Sequence, residues 1–244
     1  MRDTVSVLGI NVDRCTMAQA EERAWNMTEN GGVIYTPNPE IIMAAYRNPG
    51  YGAILNRADM VVPDGIGVVI ASKMLKKPVP ERVAGYDLVC RVLKKAADEG
   101  KSVYIFGGKR GVSEQAAEKI KSDYGTKIAG FEHGYHKDTA PVVSDICEKS
   151  PDILLVCLGA PYQEKWIDAN RRDLPKCLII GAGGSVDVLA GNTKRAPEFF
   201  IKLGLEWFYR LICQPSRFIR MLDLPKFALT VFFKGQRQGG NENA

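Results

Sequence analysis

Apolar positions along this chain fall into two alternating periods. Short β-branched runs at 5–10, 33–36, 60–63, 103–106, 127–131, 153–158 and 177–180 are apolar at nearly every position, the pattern of strands buried on both faces. Between them lie stretches of helical period with clear punctuation. Thr16 followed three residues later by Gln19 is a capping box, opening a helix that stops at Gly31-Gly32. Asn38-Pro39 supplies a cap followed by proline in the first turn, and Asp64 is placed to cap a helix running to about residue 76. Further helices are predicted at 86–99, 112–124, 139–149 and 162–172. Strand and helix taking turns predicts an α/β fold: a largely parallel sheet with helices on both faces, a Rossmann-like core. Its ligands are expected at the carboxyl ends of the strands.

Beyond residue 194 the pattern changes. Pro197 opens a segment in which Glu198, Lys202, Glu206 and Arg210 recur at every fourth position with almost nothing polar between them, so one helix with a single narrow wet stripe is predicted. Seven of the nine phenylalanines lie after residue 194, interleaved with arginines. Such a segment must rest on a core, a partner subunit or a lipid surface, and its arginines favour a place where anionic groups sit beside hydrocarbon. An amphiphilic substrate follows from that pattern. The expected organisation is a core over 1–194, a helical basic-aromatic appendage over 195–234 and a disordered tail over 235–244.

The 244 residues, 45% of them hydrophobic, suffice for one main domain with a sizeable core. A formal charge of +5 is modest, so the placement of the arginines matters more than the sum, and a nucleic-acid partner is not expected. The first residues carry no apolar stretch of the kind a secretory signal needs. Lys202, Glu206, Arg210 and Arg217 break up the best candidate for a spanning helix, which needs about 18 apolar residues. A cytoplasmic protein attached peripherally to the inner face of the membrane is expected. The six cysteines have no Cys-x-x-Cys spacing and read as buried thiols. His133 and His136, with no third histidine or nearby cysteine, are assigned to a loop and not to a metal site.

Several strand-to-helix loops carry candidate chemistry. Thr36-Pro37-Asn38 and Pro63-Asp64-Gly65 each close a strand and open a helix, which places polar side chains at one rim; capping alone also accounts for each loop. Asp64, a carboxylate directly after an apolar strand, is the candidate general base for a sugar hydroxyl. The glycine loops at 107–111 and 181–184 present backbone amides to phosphate oxygens. The second lacks the third glycine of the dinucleotide fingerprint, no P-loop lysine motif is present, and no Asp-x-Asp pair holds a divalent ion against a diphosphate. Neither a nicotinamide cofactor nor a metal is therefore expected, and a leaving diphosphate would be neutralised by arginines and amides. Spacing alone leaves Arg82, Gln163 and Asp187 open between structural and binding roles.

Taken in order, Thr36-Pro37-Asn38, Pro63-Asp64-Gly65, Arg82-Val83-Ala84-Gly85-Tyr86-Asp87, Gly159-Ala160-Pro161-Tyr162-Gln163-Glu164, Asp187 with Ala190-Gly191, Arg195-Ala196-Pro197, Leu205-Glu206-Trp207 through Arg210, and Pro215-Ser216-Arg217 with Arg220 resemble the WecG/TagA/CpsF glycosyltransferases, glycosyltransferase family 26, over residues 5–222. The likeness is strongest to the TagA branch. The resemblance implies inverting transfer of N-acetylmannosamine from a UDP-sugar donor to N-acetylglucosamine on undecaprenyl diphosphate, early in wall teichoic acid synthesis. It implies Asp64 as base, Thr36 and Asn38 orienting a sugar, and Arg82 facing the reaction centre or a phosphate. Gln163, Gly183, Gly184 and Asp187 would hold UDP, Arg195 would reach its diphosphate, and Arg210, Arg217 and Arg220 would engage the acceptor diphosphate. Phe199-Phe200 stands where the family usually has tryptophan after Pro197, and Cys213-Gln214 replaces a charged pair. Relatives that transfer N-acetylmannosaminuronic acid or glucose keep the donor sugar open. A non-catalytic membrane scaffold is the reading from another class, and the apolar helix equally suits burial in a neighbouring subunit of a homo-oligomer.

Overall fold

The computed structural model describes residues 2–213 and 222–240. Its strands are β1 (Thr4–Val7), β2 (Ile10–Asp13), β3 (Gly32–Tyr35), β4 (Met60–Val61), β5 (Ser102–Gly107), β6 (Lys127–Glu132), β7 (Ile153–Cys157) and β8 (Leu178–Gly181). β3 to β8 form one parallel sheet in the order β4-β3-β8-β7-β5-β6. Every residue of β5, β7 and β8 is buried, which is why these strands read as unbroken apolar runs, whereas edge strand β6 is open to solvent.

The single strand expected at 5–10 is instead an antiparallel hairpin of β1 and β2. Leu8 and Gly9, both at positive φ (51° and 89°), make its two-residue turn. That backbone twist suits a tight hairpin, but leucine in it gives no compositional warning.

The helices are α1 (Met17–Asn30), α2 (Pro39–Arg47), α3 (Pro49–Asn56), α4 (Ile66–Met74), α5 (Gly85–Asp98), α6 (Val112–Tyr124), α7 (Ala140–Lys149), α8 (Tyr162–Asn170) and α9 (Ser185–Leu189). The Thr16 box is formed, with the Gln19 N–H donating to Thr16 Oγ1 at 3.2 Å and the Thr16 N–H to Gln19 Oε1 at 2.9 Å. α1, α5, α6 and α9 cover one face of the sheet through Ile34, Val103, Ile105, Leu155 and Ile180. α2, α3, α7, α8 and the hairpin share the other core with Val33, Tyr104, Phe106, Leu154 and Ile179. Alternate residues of each strand thus feed two cores, as the pleat requires.

The hairpin is held to the sheet by Asp13, which is fully buried. Its carboxylate accepts the Val61 N–H at 2.7 Å and pairs with Arg23 at 3.0 Å and with Arg2. Three donors on one carboxylate offset its desolvation.

After Pro197 the predicted continuous helix is two short ones, α10 (Glu198–Lys202) and α11 (Glu206–Cys213). Gly204, at φ 70°, breaks them, so the four polar positions do not form one stripe. The last helix, α12 (Asp223–Gly240), crosses α2 and α4. Phe227 and Val231, one turn apart, are buried there in the main core, and Arg47 pairs with Asp223 at 2.5 Å. α12 covers 235–240 of the stretch expected to be disordered, and 241–244 lie outside the described residues. Among the described residues no helix is long and apolar enough to cross a membrane.

The cysteines differ partly from expectation: Cys15, Cys157 and Cys177 are buried, but Cys147 and Cys213 are exposed on helices α7 and α11. Burial pushes the Cys15 thiol up to about 11 and the Cys157 and Cys177 thiols to about 12. A thiol reagent at pH 8 should modify Cys147 and Cys213 rapidly and spare those three in the native protein, as peptide mass mapping would show. Asp13→Ala should lower unfolding stability by about 3–5 kcal/mol in urea melts, because Arg2, Arg23 and the Val61 amide lose a common acceptor.

Candidate active site

The parallel pairing of β3 with β8 sets Tyr35 beside Gly181, so the loops that follow both strands leave the sheet side by side. Thr36, the first residue beyond β3, donates from Oγ1 to the Gly181 carbonyl at 3.4 Å. Gly85 presses against it: a Cβ at 85 would stand 2.8 Å from Thr36 Cβ, so glycine is required for α5 to start this close. Asn38 caps α2, its Oδ1 accepting the Ile41 N–H at 3.0 Å, and also lines the cleft described below.

Asp64 behaves differently from its sequence reading. α4 starts at Ile66 with Gly65 (φ 87°) in the cap position, so Asp64 stands one residue ahead of the cap and not at it. Its N–H is tied to the Val62 carbonyl at 3.0 Å, and its Oδ1 lies 3.8 Å from Arg82 Nε. The positive φ at Gly65 turns the chain so that the carboxylate stays on the rim.

Asp64, Asn38 and Arg82 line a cleft of about 280 Å³ whose other walls are the apolar side of α4, Trp207 of α11 and Phe227 of α12. Arg82 is largely buried and serves two carboxylates, since its Nη2 also donates to Glu206 Oε2 at 2.5 Å. Its Nε is buried without a hydrogen-bond acceptor. Burial pulls the Arg82 pKa down, but Asp64 and Glu206 outweigh that and hold it above the ordinary arginine value. The guanidinium is a fixed positive charge beside the candidate base. Sequence reasoning left Glu206 out of the candidate site, placing it in the polar stripe and in the Leu205-Glu206-Trp207 stretch of the family resemblance. A carboxylate opening an aromatic helix was the available signal.

The second group of candidate residues lies across Thr36 from this cleft. Gln163, 3% exposed, accepts the Gly183 N–H on Oε1 at 2.9 Å and donates from Nε2 to Glu164 at 2.8 Å. Its amide is engaged at both ends and holds the Gly183-Gly184 turn from below. Gly183 sits at φ 52°, and Gly184 precedes α9, in whose first turn Asp187 lies; the Asp187 carbonyl accepts the Thr193 N–H at 3.0 Å. Arg195 pairs with Asp87 in the first turn of α5 and stacks over the Tyr86 ring at 5.0 Å. Arg195 is thereby brought to the same helix start that abuts Thr36. Arg217 and Arg220 lie outside the described residues, as does the side chain of Arg210.

The 107–108 loop also reaches this rim, where Gly107 passes so close to Cys157 that a Cβ would fall 2.3 Å from its backbone carbon. Beside it, Glu132, His133 and His136 gather with potential ligating atoms within 4.8 Å of one another. Glu132 Oε1 already accepts the His133 N–H at 3.0 Å and lies 3.1 Å from His136 Nε2. The Tyr135 N–H donates to His133 Nδ1 at 3.2 Å, so backbone and side chains of 132–136 bond to one another. The cluster therefore reads as a hydrogen-bonded loop anchor.

The model of the glycosyl transferase WecG/TagA/CpsF family matches residues 5–240. The chain is 46% identical over 202 residues, 82% of its length and 79% of the relative's, to an N-acetylglucosaminyldiphosphoundecaprenol N-acetyl-beta-D-mannosaminyltransferase of Bacillus spizizenii. A protein of the same description from Staphylococcus aureus is 35% identical over 228 residues, 91% of this chain and 90% of that one. With the matched region taking in the cleft, the glycine turn and the C-terminal helices together, this chain belongs to the WecG/TagA/CpsF glycosyl transferase family.

Proposed function

We propose that this chain is an inverting glycosyltransferase that moves N-acetylmannosamine from UDP-N-acetylmannosamine to the N-acetylglucosamine of GlcNAc-diphospho-undecaprenol, forming a β-1,4 linkage in wall teichoic acid synthesis. The observation that carries the reading is the placement of Asp64: a carboxylate at the carboxyl end of the sheet, in a cleft with Arg82, walled by apolar side chains. The activity named for the Bacillus and Staphylococcus relatives supplies the donor and acceptor.

Asp64 takes the proton of the acceptor hydroxyl while that oxygen attacks the sugar's anomeric carbon and the bond to the UDP oxygen breaks on the opposite face. One displacement with no covalent intermediate inverts the centre. Thr36 and Asn38 orient a sugar at the same rim. Gly183, Gly184 and Asp187 hold UDP, Gln163 contributes by bracing the glycine turn from beneath, and Arg195 reaches the diphosphate. The departing charge falls to backbone amides and arginines, with no metal required. Arg210, Arg217 and Arg220 engage the lipid diphosphate.

Twelve of the fifteen exposed large apolar side chains among the described residues belong to α4 and to residues 199–233, including Ile70, Phe199, Trp207, Phe208, Leu229 and Phe233. A patch of this kind beside the cleft suits peripheral attachment to the cytoplasmic membrane, where the lipid-linked acceptor lies. Basic residues near anionic lipid add about 1 kcal/mol each.

Asp64→Ala should reduce UDP release in the presence of a short-chain lipid diphosphate acceptor by about 10²–10⁴ while UDP binding by calorimetry changes only a few fold. Near-normal turnover in that variant would remove Asp64 as base, and loss of rate in EDTA would remove the metal-free mechanism. Co-sedimentation with anionic vesicles should fall steeply as salt rises from low to high ionic strength. Binding that ignores salt, or a solution mass that is multimeric with and without vesicles, would assign the apolar patch to a neighbouring subunit.

A further inference from the structure

Among the described residues two carboxylates are buried, Asp13 at the hairpin and Glu164, 2% exposed, in the first turn of α8 beneath the glycine turn. A carboxylate in that position costs desolvation that an apolar side chain would avoid, so its partners indicate what it provides. Oε1 accepts from Gln163 Nε2 at 2.8 Å, Oε2 accepts from the Tyr51 hydroxyl at 3.1 Å, and the Glu164 carbonyl accepts from the Tyr35 hydroxyl at 3.3 Å. The primary amide of Gln163 has two unlike ends: the Gly183 N–H, which can only donate, selects Oε1, and this leaves the NH₂ end in need of an acceptor on the other side. A carboxylate accepts only, so it takes the NH₂ end of Gln163 and holds Oε1 toward the Gly183 N–H, 2.9 Å away.

We propose that Glu164 is a positioning residue for the donor nucleotide: through Gln163 it sets the Gly183-Gly184 turn in the conformation that receives the UDP diphosphate. Tyr51, from α3, holds Glu164 in turn, so the relay runs Tyr51 to Glu164 to Gln163 to Gly183. The inference rests on the reading that UDP is held at this turn. It adds a requirement that the turn alone does not explain, an acceptor-only group below Gln163. Because Glu164 never reaches the reacting atoms, the effect belongs on donor affinity and not on the chemical step.

The full-length protein is assayed with UDP-N-acetylmannosamine and a short-chain lipid diphosphate acceptor, and UDP binding is measured by calorimetry. Glu164→Ala should raise donor KM and UDP Kd tenfold or more with kcat within threefold. Gln163→Glu sets a second carboxylate against Glu164 and should do the same. The exchange Gln163→Glu with Glu164→Gln restores one donor between the two positions and should bring KM back at least fivefold toward the wild type, a rescue that general loss of packing would not give. If Glu164→Ala fails to fold by circular dichroism, the single and exchanged variants at 163 and 164 decide the matter. A KM within twofold of wild type in the single variants, a fall in kcat at constant KM, or no rescue in the exchange overturns the role of Glu164. A wild-type protein that binds no UDP instead fails the functional reading on which the role depends, a result distinct from the others.

Discussion

The pairing of β3 with β8 is the constraint on which the site rests. These strands are about 145 residues apart in sequence, yet their register sets Tyr35 opposite Gly181 and sends Thr36 and the glycine turn out of the sheet as neighbours. Slipping a parallel pair by one residue would turn every side chain to the other face, and here both faces are committed to packed cores. The buried residues of β3 and β8 therefore fix the separation between the part of the rim that carries Asp64 and Arg82 and the part that carries Gly183 and Gly184. Chemistry at the rim inherits its precision from apolar packing beneath it.

Arg82 links the core to the C-terminal helices. Its guanidinium stands between a carboxylate of the α/β core and one from α11, and it is mostly removed from water. Charge pairs in such surroundings are screened little and hold their geometry well. The hydrophobic half of the same connection is α12, seated on α2 and α4 through Phe227 and Val231. Together a charge contact and an apolar contact make the region after residue 194 a wall of the cleft.

Much of the fold was legible because the chain punctuates itself well. The Thr16 capping box, the Asn38-Pro39 start and the glycines at 31 and 125 end or begin helices where the sequence indicates. The elements that escaped had physical reasons. Leu8 occupies a turn conformation that composition does not mark, and Asn48-Pro49 opens α3 immediately behind α2, sharing one asparagine between two helices. Gly204 breaks a stripe whose periodicity carries straight across it. Among candidate site residues, the positions of those directly following strands were legible, since topology gathers strand ends whatever their partners. Glu206 and Glu164 were not, because a carboxylate's meaning depends on a guanidinium or an amide supplied by another part of the chain.

The strand order also bears on how the protein is made. β8, the last strand of the sequence, lies in the middle of the sheet between β3 and β7. Until residue 181 has left the ribosome, β3 with β4 and β5 with β6 and β7 are two separate fragments, each with an open edge where β8 belongs. Insertion of one late, wholly buried strand joins them, a step of high contact order and correspondingly slow. Partial chains consequently own no complete rim, and both edges stay open to wrong pairing until β8 arrives.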